Sequence, residues 1–459
     1  MPGTEVHPNN HKRLSLVRSM RRRLAATGDL RQTLINIVWL AGDKVLGIGI
    51  ATFVGVWMAR VLGPVAFGSY SFALAWVGLI GVIASLGIDS LVLRDLVHGA
   101  ERHFTILGTL AAMRLGAAAI ALAVIIGLLQ IIPPATTTDR DLTLICALSM
   151  LFRPTEVIDI WFQSRVRARP AVIARTVSTL LSALLRIWLI TQHSALVLFG
   201  VVFVLEAALS AIGLIIAYRV DGQPISVWRF QLTYARQLLR EGWPLILGAV
   251  SVIIYMRIDQ IMIGQLLDTE AVGVYAVASR FSELGYFVPM IIMSSLMPSM
   301  IAARSQSAAI YTRMLRRTAA LMIAAALCLT IPMSLLSTWV VTLVFGTPYA
   351  AAGPILALHI WSTPFVFLGV MQSSWDVLEG TTGYGLVRTG IGALTNIALN
   401  FILIPAIGGI GAALATLAAQ MCAAWIVNAF SPRTRALFWL QARTLSLFDP
   451  IRLLLRNEL

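Results

Sequence analysis

The sequence predicts an all-α integral membrane protein with twelve transmembrane helices and both termini in the cytoplasm. Three observations carry that prediction. Of 459 residues, 58% are hydrophobic and only 12% charged, with mean hydropathy +0.84; a soluble domain carries about a quarter charged residues. Apolar runs long enough to span a bilayer, ~20 residues for a hydrocarbon core of about 30 Å, recur along the whole chain. The net charge of +14 gathers in alternate loops.

The expected spans are 34–61, 66–97, 105–132, 141–162, 171–190 and 196–218, then 242–267, 271–302, 315–338, 351–375, 384–404 and 410–430. If the N terminus is inside, the inner loops carry Arg102; Arg165, Arg167 and Arg169; Arg219, Arg229, Arg236 and Arg240; and Arg304, Arg313, Arg316 and Arg317. The tail adds Arg433, Arg435, Arg443, Arg452 and Arg456. The opposite loops, 62–65, 133–140, 191–195, 268–270, 339–350 and 405–409, hold one basic residue, Arg140. Such asymmetry is what the positive-inside rule requires, and one span more or fewer would invert half the loops.

The flanks follow from this frame. Residues 1–33, with Arg21, Arg22 and Arg23, form a cytoplasmic basic arm rather than a signal peptide, because no short apolar core with a small-residue cleavage site comes first. Residues 219–241 interleave Val227, Trp228, Phe230, Leu232, Leu238 and Leu239 with Arg229, Arg236 and Arg240, the pattern of a cytoplasmic amphipathic linker. Residues 431–459 form an amphipathic tail on the inner leaflet, with Phe438, Trp439, Leu453, Leu454 and Leu455 among arginines.

Several functions are excluded at this point. A pI of 10.6 would suggest nucleic acid in a soluble protein, but here the basic residues lie between apolar runs. Cys146, Cys328 and Cys422 are far apart inside apolar runs, and the six histidines have no ligand spacing. The chain shows no P-loop, nucleophile elbow or metal-ligand pair, so no enzyme activity, cofactor or metal is expected.

The chain also repeats itself. Leu62-Gly63-Pro64-Val65-Ala66-Phe67-Gly68-Ser69-Tyr70 follows the first span, and Leu267-Asp268-Thr269-Glu270-Ala271-Val272-Gly273-Val274-Tyr275 follows the seventh. Leu, Ala, Gly and Tyr coincide at an offset of 205 residues. The expected organisation is a six-helix half at 34–218, the linker at 219–241 and a second six-helix half at 242–430, with substrate handled between the halves.

Four stretches resemble the polysaccharide transporter (Wzx-type) family of the multidrug/oligosaccharidyl-lipid/polysaccharide exporter superfamily. They are Arg60 to Pro64 with Phe67 to Tyr70; Arg257 to Gly264 leading into Val272 to Tyr275 and Arg280; Leu343 to Tyr349; and Asn396 to Pro405 followed by Gly408 to Ala413, Ala415 and Thr416. The resemblance implies two MATE-like six-helix bundles around a central cavity in a bacterial inner membrane. It further implies translocation of an undecaprenyl-pyrophosphate-linked oligosaccharide to the periplasmic leaflet for O-antigen or exopolysaccharide synthesis. Its implied partners are that lipid-linked substrate, membrane lipids, and a polysaccharide polymerase with a chain-length regulator.

Ionisable residues at membrane depth are costly and mark candidate sites. Asp43, Lys44, Asp89 and Arg114 all fall ~13–15 Å from the cytoplasmic end of their spans. Arg257, Asp259, Arg280 and Glu283 share a depth of about 12–18 Å from the opposite side. A pyrophosphate crossing a low-dielectric region needs cations, so Lys44, Arg114, Arg257 and Arg280 are the candidate substrate-binding residues. Asp43, Asp89, Asp259 and Glu283 are candidate charge partners or proton-coupling groups, and Asn396 and Asn400 are further cavity candidates. The alternative for each set is a lock within the bundle, Lys44 with Asp43 or Asp89 and Arg280 with Asp259 or Glu283. Arg186 and Glu206 are also ionisable and deep. Other functions weighed are an ion-coupled multidrug exporter of the same superfamily, a membrane glycan polymerase or ligase, and a peptidoglycan-precursor flippase with two extra spans. No large periplasmic loop is available for the enzyme reading.

Overall fold

The computed structural model describes the backbone of residues 9–445 and the side chains of 35–445 except 37, 100 and 382. The parts of the expected arm and tail at 1–8 and 446–459, including Leu453 to Leu455, lie outside the described residues. Every regular element among the described residues is helical. Among the described residues, ten helices are long and apolar enough to cross a membrane. The first of these is two spans broken at Gly63, and the interrupted segment 137–164 adds a twelfth.

The spans are α1 (9–62), α2 (64–98), α3 (His103–Ile131), α4 (137–164), α5 (Arg169–Thr191), α6 (Leu196–Val220), α7 (Leu232–Leu266), α8 (Thr269–Gln306), α9 (Ala308–Phe345), α10 (Ala352–Glu379), α11 (Thr382–Ile407) and α12 (Gly409–Phe430). A short α13 (Arg435–Leu445) follows. Gly63 separates α1 from α2 at φ 75°, a backbone conformation that favours glycine, with Pro64 starting the next helix. The chain reverses there: Ala59 and Phe67 both contact Tyr349, while Asp43 and Asp89 lie at the other end. The end carrying the basic loops is called here the basic end, and the other the neutral end.

Four spans are broken mid-way, and α12 is interrupted only near its end, at Trp425 before the 3-10 stretch Ile426–Phe430. α2 breaks at Leu86 and Gly87, both at positive φ. α4 passes through a 3-10 stretch, Leu148–Glu156, where Pro154 removes a donor. α8 breaks at Leu284–Phe287 before Pro289, and α10 at Ile360–Ser362 before Pro364. Second and fourth spans of each half are therefore the ones interrupted mid-way, a pattern that exposes backbone polarity where a cavity needs it. Several spans run past their expected limits, α1 most of all, whose helix begins at residue 9 rather than 34. α7 begins at Leu232 rather than 242, and α9 runs 308–345 rather than 315–338, because Arg236, Arg240, Arg313, Arg316 and Arg317 extend the helices beyond the apolar core at the basic end.

Packing explains the shape. At the neutral end one apolar core draws on both halves, including Phe67, Tyr70 and Trp76 with Tyr275, Phe345 and Tyr349. Toward the basic end the core divides. One cluster, with Leu107, Trp161 and Tyr218, belongs to α2–α7, and another, with Met300, Met322 and Phe367, belongs to α8–α13. The bundle is sealed at its neutral end and split toward its basic end. The two sides still touch there through α2 and α7, where Gly242 packs on Ile88 and Arg94 pairs with Glu241 at 3.1 Å. The linker lies along α3, with Arg229 N donating to Phe104 O at 3.3 Å. In α13 the Leu437 face turns into the bundle, and Gln441 Oε1 accepts from Asn428 Nδ2 at 3.1 Å.

Candidate functional site

Beneath the sealed core lies a cavity of about 610 Å³, walled by α1, α2, α5 and α6 on one side and by α7, α8 and α9 on the other. Its charged lining is Arg186, Glu206, Arg257, Arg280 and Glu283. Arg186 pairs with Glu206 at 2.8 Å, and Thr179 Oγ1 donates to the same carboxylate at 3.0 Å. Arg257 approaches Glu283 at 3.7 Å, too long for a good hydrogen bond. Arg280 makes no ion pair among the described residues; its guanidinium lies 4.9 Å from the centre of the Phe67 ring. Gly55 leaves room for it, since a Cβ there would stand 2.9 Å from Arg280 Nη1. Three cations face two anions in this cavity. A cation held only by a ring face keeps its donors for a ligand.

The expected partnership of Arg280 with Asp259 or Glu283 is not made. Asp259 is 3% exposed and turns away, into the packing of α7, α8, α11 and α12. It accepts from Tyr275 Oη at 2.7 Å, from Asn400 Nδ2 at 2.6 Å and from Thr416 Oγ1. Asn396 Oδ1 accepts from Asn400 Nδ2 at 3.1 Å. Asn396 and Asn400 are fully buried and line this nest rather than the central cavity. Thr416 belongs to a stretch that carries the family resemblance, but nothing in its spacing shows that it meets Asp259.

Toward the basic end the charges sort differently from expectation. Asp43 is held by Arg175 at 2.9 Å and by Thr176 at 3.3 Å, and Arg175 also pairs with Asp159. Asp89 pairs with Arg114, as their shared depth suggested. Arg114 is 0% exposed, donates to Ser85 O at 3.2 Å and approaches Glu156 at 3.8 Å. Its charge sits behind the wall instead of lining a cavity. Lys44 is exposed and has no ion pair among the described residues, so the expected Lys44 lock with Asp43 or Asp89 is not formed. Arg175 is the group that depth counting missed. Its signal is in the sequence: Arg175, Thr179, Ser182 and Arg186 recur at helical spacing on one face of α5.

A family described as polysaccharide biosynthesis protein matches residues 33–303, more than half of the chain. A second, MatE, matches 244–402. No curated protein matches by sequence. Among solved structures, the lipid II flippase MurJ in an inward closed conformation aligns with TM-score 0.66 and 18% identity, over 93% of this chain and 94% of that one. An inward-facing multidrug resistance MATE family transporter of the MOP superfamily aligns with TM-score 0.68 and 16% identity, over 90% and 98%. A MOP superfamily transporter from Pyrococcus furiosus aligns with TM-score 0.54 and 17% identity, over 91% and 94%. The fold is thus the one shared by MurJ and the MATE transporters, and the chain is a multi-pass membrane protein.

Proposed function

Because the chain belongs to the polysaccharide biosynthesis protein family, we propose that it is a flippase for a lipid-linked oligosaccharide. The substrate is an undecaprenyl-pyrophosphate-linked glycan of O-antigen or exopolysaccharide synthesis, carried from the cytoplasmic to the periplasmic leaflet of a bacterial inner membrane. The observation that carries this reading is the central cavity. It is walled by both halves of the bundle, it is lined by Arg186, Arg257 and Arg280, and one of those cations has no acid partner among the described residues. A diphosphate is a ligand that three convergent guanidinium groups suit.

In this reading the basic end faces the cytoplasm, in keeping with the loop charges. The structure then corresponds to an inward-directed state. The halves 34–218 and 242–430 rock about the linker so that the cavity faces first one leaflet and then the other. Arg257 and Arg280 contact the headgroup, Glu283 competes for Arg257 when the cavity is empty, and Asp259 serves as a coupling group in the wall. Lys44, exposed near the basic end, meets the headgroup on its way in. Asp43, Asp89 and Arg114 hold the wall of that approach. The product passes at the periplasmic face to a polymerase and its chain-length regulator.

Deleting the gene in its host tests this reading. The lipid-linked glycan is expected to accumulate on the cytoplasmic leaflet, shielded from a glycosidase added to spheroplasts. Accumulation on the periplasmic leaflet, or none, refutes it.

A further inference from the structure

A second cavity, which shares only Asp89 with the wall of that approach, holds no part of the substrate in that account. It lies in the basic-end part of the first half, between α2, α4, α5 and α6, with a volume of about 480 Å³. Its polar wall is Asp89, Glu156, Asp159, Gln163, Arg175 and Ser210. The charges on that wall are one-sided in what they present. The Asp89 and Glu156 side chains are 59% and 42% exposed; Arg114, which pairs with Asp89 and approaches Glu156, is 0% exposed behind them, and Arg153, which is not among the lining residues, pairs with Glu156 at 3.1 Å. Arg175 is occupied by Asp43 at 2.9 Å and by Asp159. Asp159 Oδ1 is buried without a hydrogen-bond partner among the described residues, and its Oδ2 accepts from Gln163 Nε2 at 3.1 Å.

Such a wall offers carboxylate lone pairs whose charge is fixed by Arg114, Arg153 and Arg175, plus an amide and a hydroxyl that both donate and accept. Sugar hydroxyls suit it, because each O–H can donate to a carboxylate in a charge-assisted bond. An anionic ligand does not, since it would meet three carboxylates, and the partly exposed cations beside them among the described residues, Arg153 and Arg175, are already paired with acids.

A separate observation ties this cavity to the central one. On α5, Arg175 lines the second cavity and Arg186 the first, with Thr179 and Ser182 between them on the same face. On α6, Ser210 lines the second cavity and Glu206 the first, one turn apart. The two arginines are about 16 Å apart along the helix. One polar face therefore runs from cavity to cavity inside the first half.

We propose that the second cavity holds neutral, hydroxyl-rich sugar of the glycan while the central arginines hold the diphosphate. The inference rests on the flippase reading and narrows it: the sugar that enters this cavity is uncharged, not a uronic acid.

The test uses the full-length protein in lipid nanodiscs and three probes: geranyl pyrophosphate, its N-acetylglucosamine conjugate carrying a linear chain of three such sugars, long enough to pass from one cavity to the other, and its glucuronic acid conjugate, the same chain with glucuronic acid at the outer end. The N-acetylglucosamine conjugate is expected to bind about tenfold more tightly than geranyl pyrophosphate, the gain from one or two charge-assisted hydrogen bonds. The glucuronic acid conjugate should show no gain. Asp159→Asn and, separately, Gln163→Ala should abolish the gain and leave geranyl pyrophosphate affinity unchanged; the second variant keeps the Arg175 ion pairs intact. Three results overturn the proposal: no gain for the neutral sugar, an equal gain for glucuronic acid, or a gain that survives both substitutions. If geranyl pyrophosphate itself does not bind, the flippase reading falls and this inference with it; binding without a sugar gain removes only the inference.

Discussion

Gly68 and Gly273 touch backbone to backbone where α2 crosses α8 at the neutral end. A Cβ on Gly68 would stand 1.7 Å from Thr269 O, and one on Gly273 would stand 2.1 Å from Pro64 O. The two glycines are the matching residues of the internal repeat, 205 positions apart. The halves therefore close against each other at equivalent points, and only a residue without a side chain permits the approach.

Substituting that contact should stop the neutral end from closing. Gly68→Leu is expected to abolish export and to open the central cavity from the periplasmic side. With Cys146, Cys328 and Cys422 replaced by alanine, Val54→Cys gives a reporter that is buried in the cavity wall. A membrane-impermeant maleimide added outside should label Val54→Cys only weakly in the parent and strongly with Gly68→Leu. Equal labelling in both would show that this crossing is not the seal.

Arg280 should act through its charge. Arg280→Ala is expected to weaken binding of a prenyl pyrophosphate by about tenfold to a hundredfold, the loss of one charged hydrogen-bonding group worth ~1.5–3 kcal/mol. Membrane abundance should stay at the parent level, because the residue makes no ion pair among the described residues. Titration of geranyl pyrophosphate against both proteins checks the affinity.

Arg114 and Lys44 should separate. Arg114 is fully buried, while the Asp89 side chain it pairs with is 59% exposed. Arg114→Gln, which removes the bonds to Ser85 O and Asp89, should therefore reduce folded protein, and Asp89→Asn added to it should change that loss little because the freed carboxylate is hydrated. Lys44→Gln, at an exposed position, should leave abundance unchanged. Immunoblots of membrane fractions and thermal melts of the purified variants measure both effects. Loss of folded protein with Lys44→Gln would give that residue a structural role instead.

Sidedness has its own test. A green fluorescent protein fused after Leu459 should fluoresce, and alkaline phosphatase fused after Leu267 should be active. The opposite pair of results would place the basic end in the periplasm.

Eleven of the twelve spans were legible as long apolar runs; the fourth, which carries Arg153, Glu156 and Asp159, is the weakest as a run, and an even number of spans is what keeps the loop arginines on one side. Depth along each helix also brought Arg114 to Asp89 correctly. What depth cannot supply is rotation about the helix axis. Asp43 and Lys44 share a level, yet adjacent residues point about 100° apart, and only Asp43 turns toward Arg175. For the same reason Asp259 and Arg280 occupy one level but face different spaces, the α7–α12 packing and the central cavity. Arg388 was overlooked altogether. Its partner Asp376 lies in the last turn of α10 and Arg388 lies inside α11, so neither belongs to a loop. Pairing across a helix–loop–helix corner is invisible to a count of loop charges.

The most direct measurement is transbilayer movement itself. The purified protein is reconstituted into vesicles with a fluorescent prenyl-pyrophosphate-linked oligosaccharide, and a membrane-impermeant quencher reads how much probe becomes accessible from one side. The account expects movement well above that of protein-free vesicles and a fall to the protein-free rate with Arg280→Ala. Movement no faster than in protein-free vesicles, or an unchanged rate with Arg280→Ala, would contradict it.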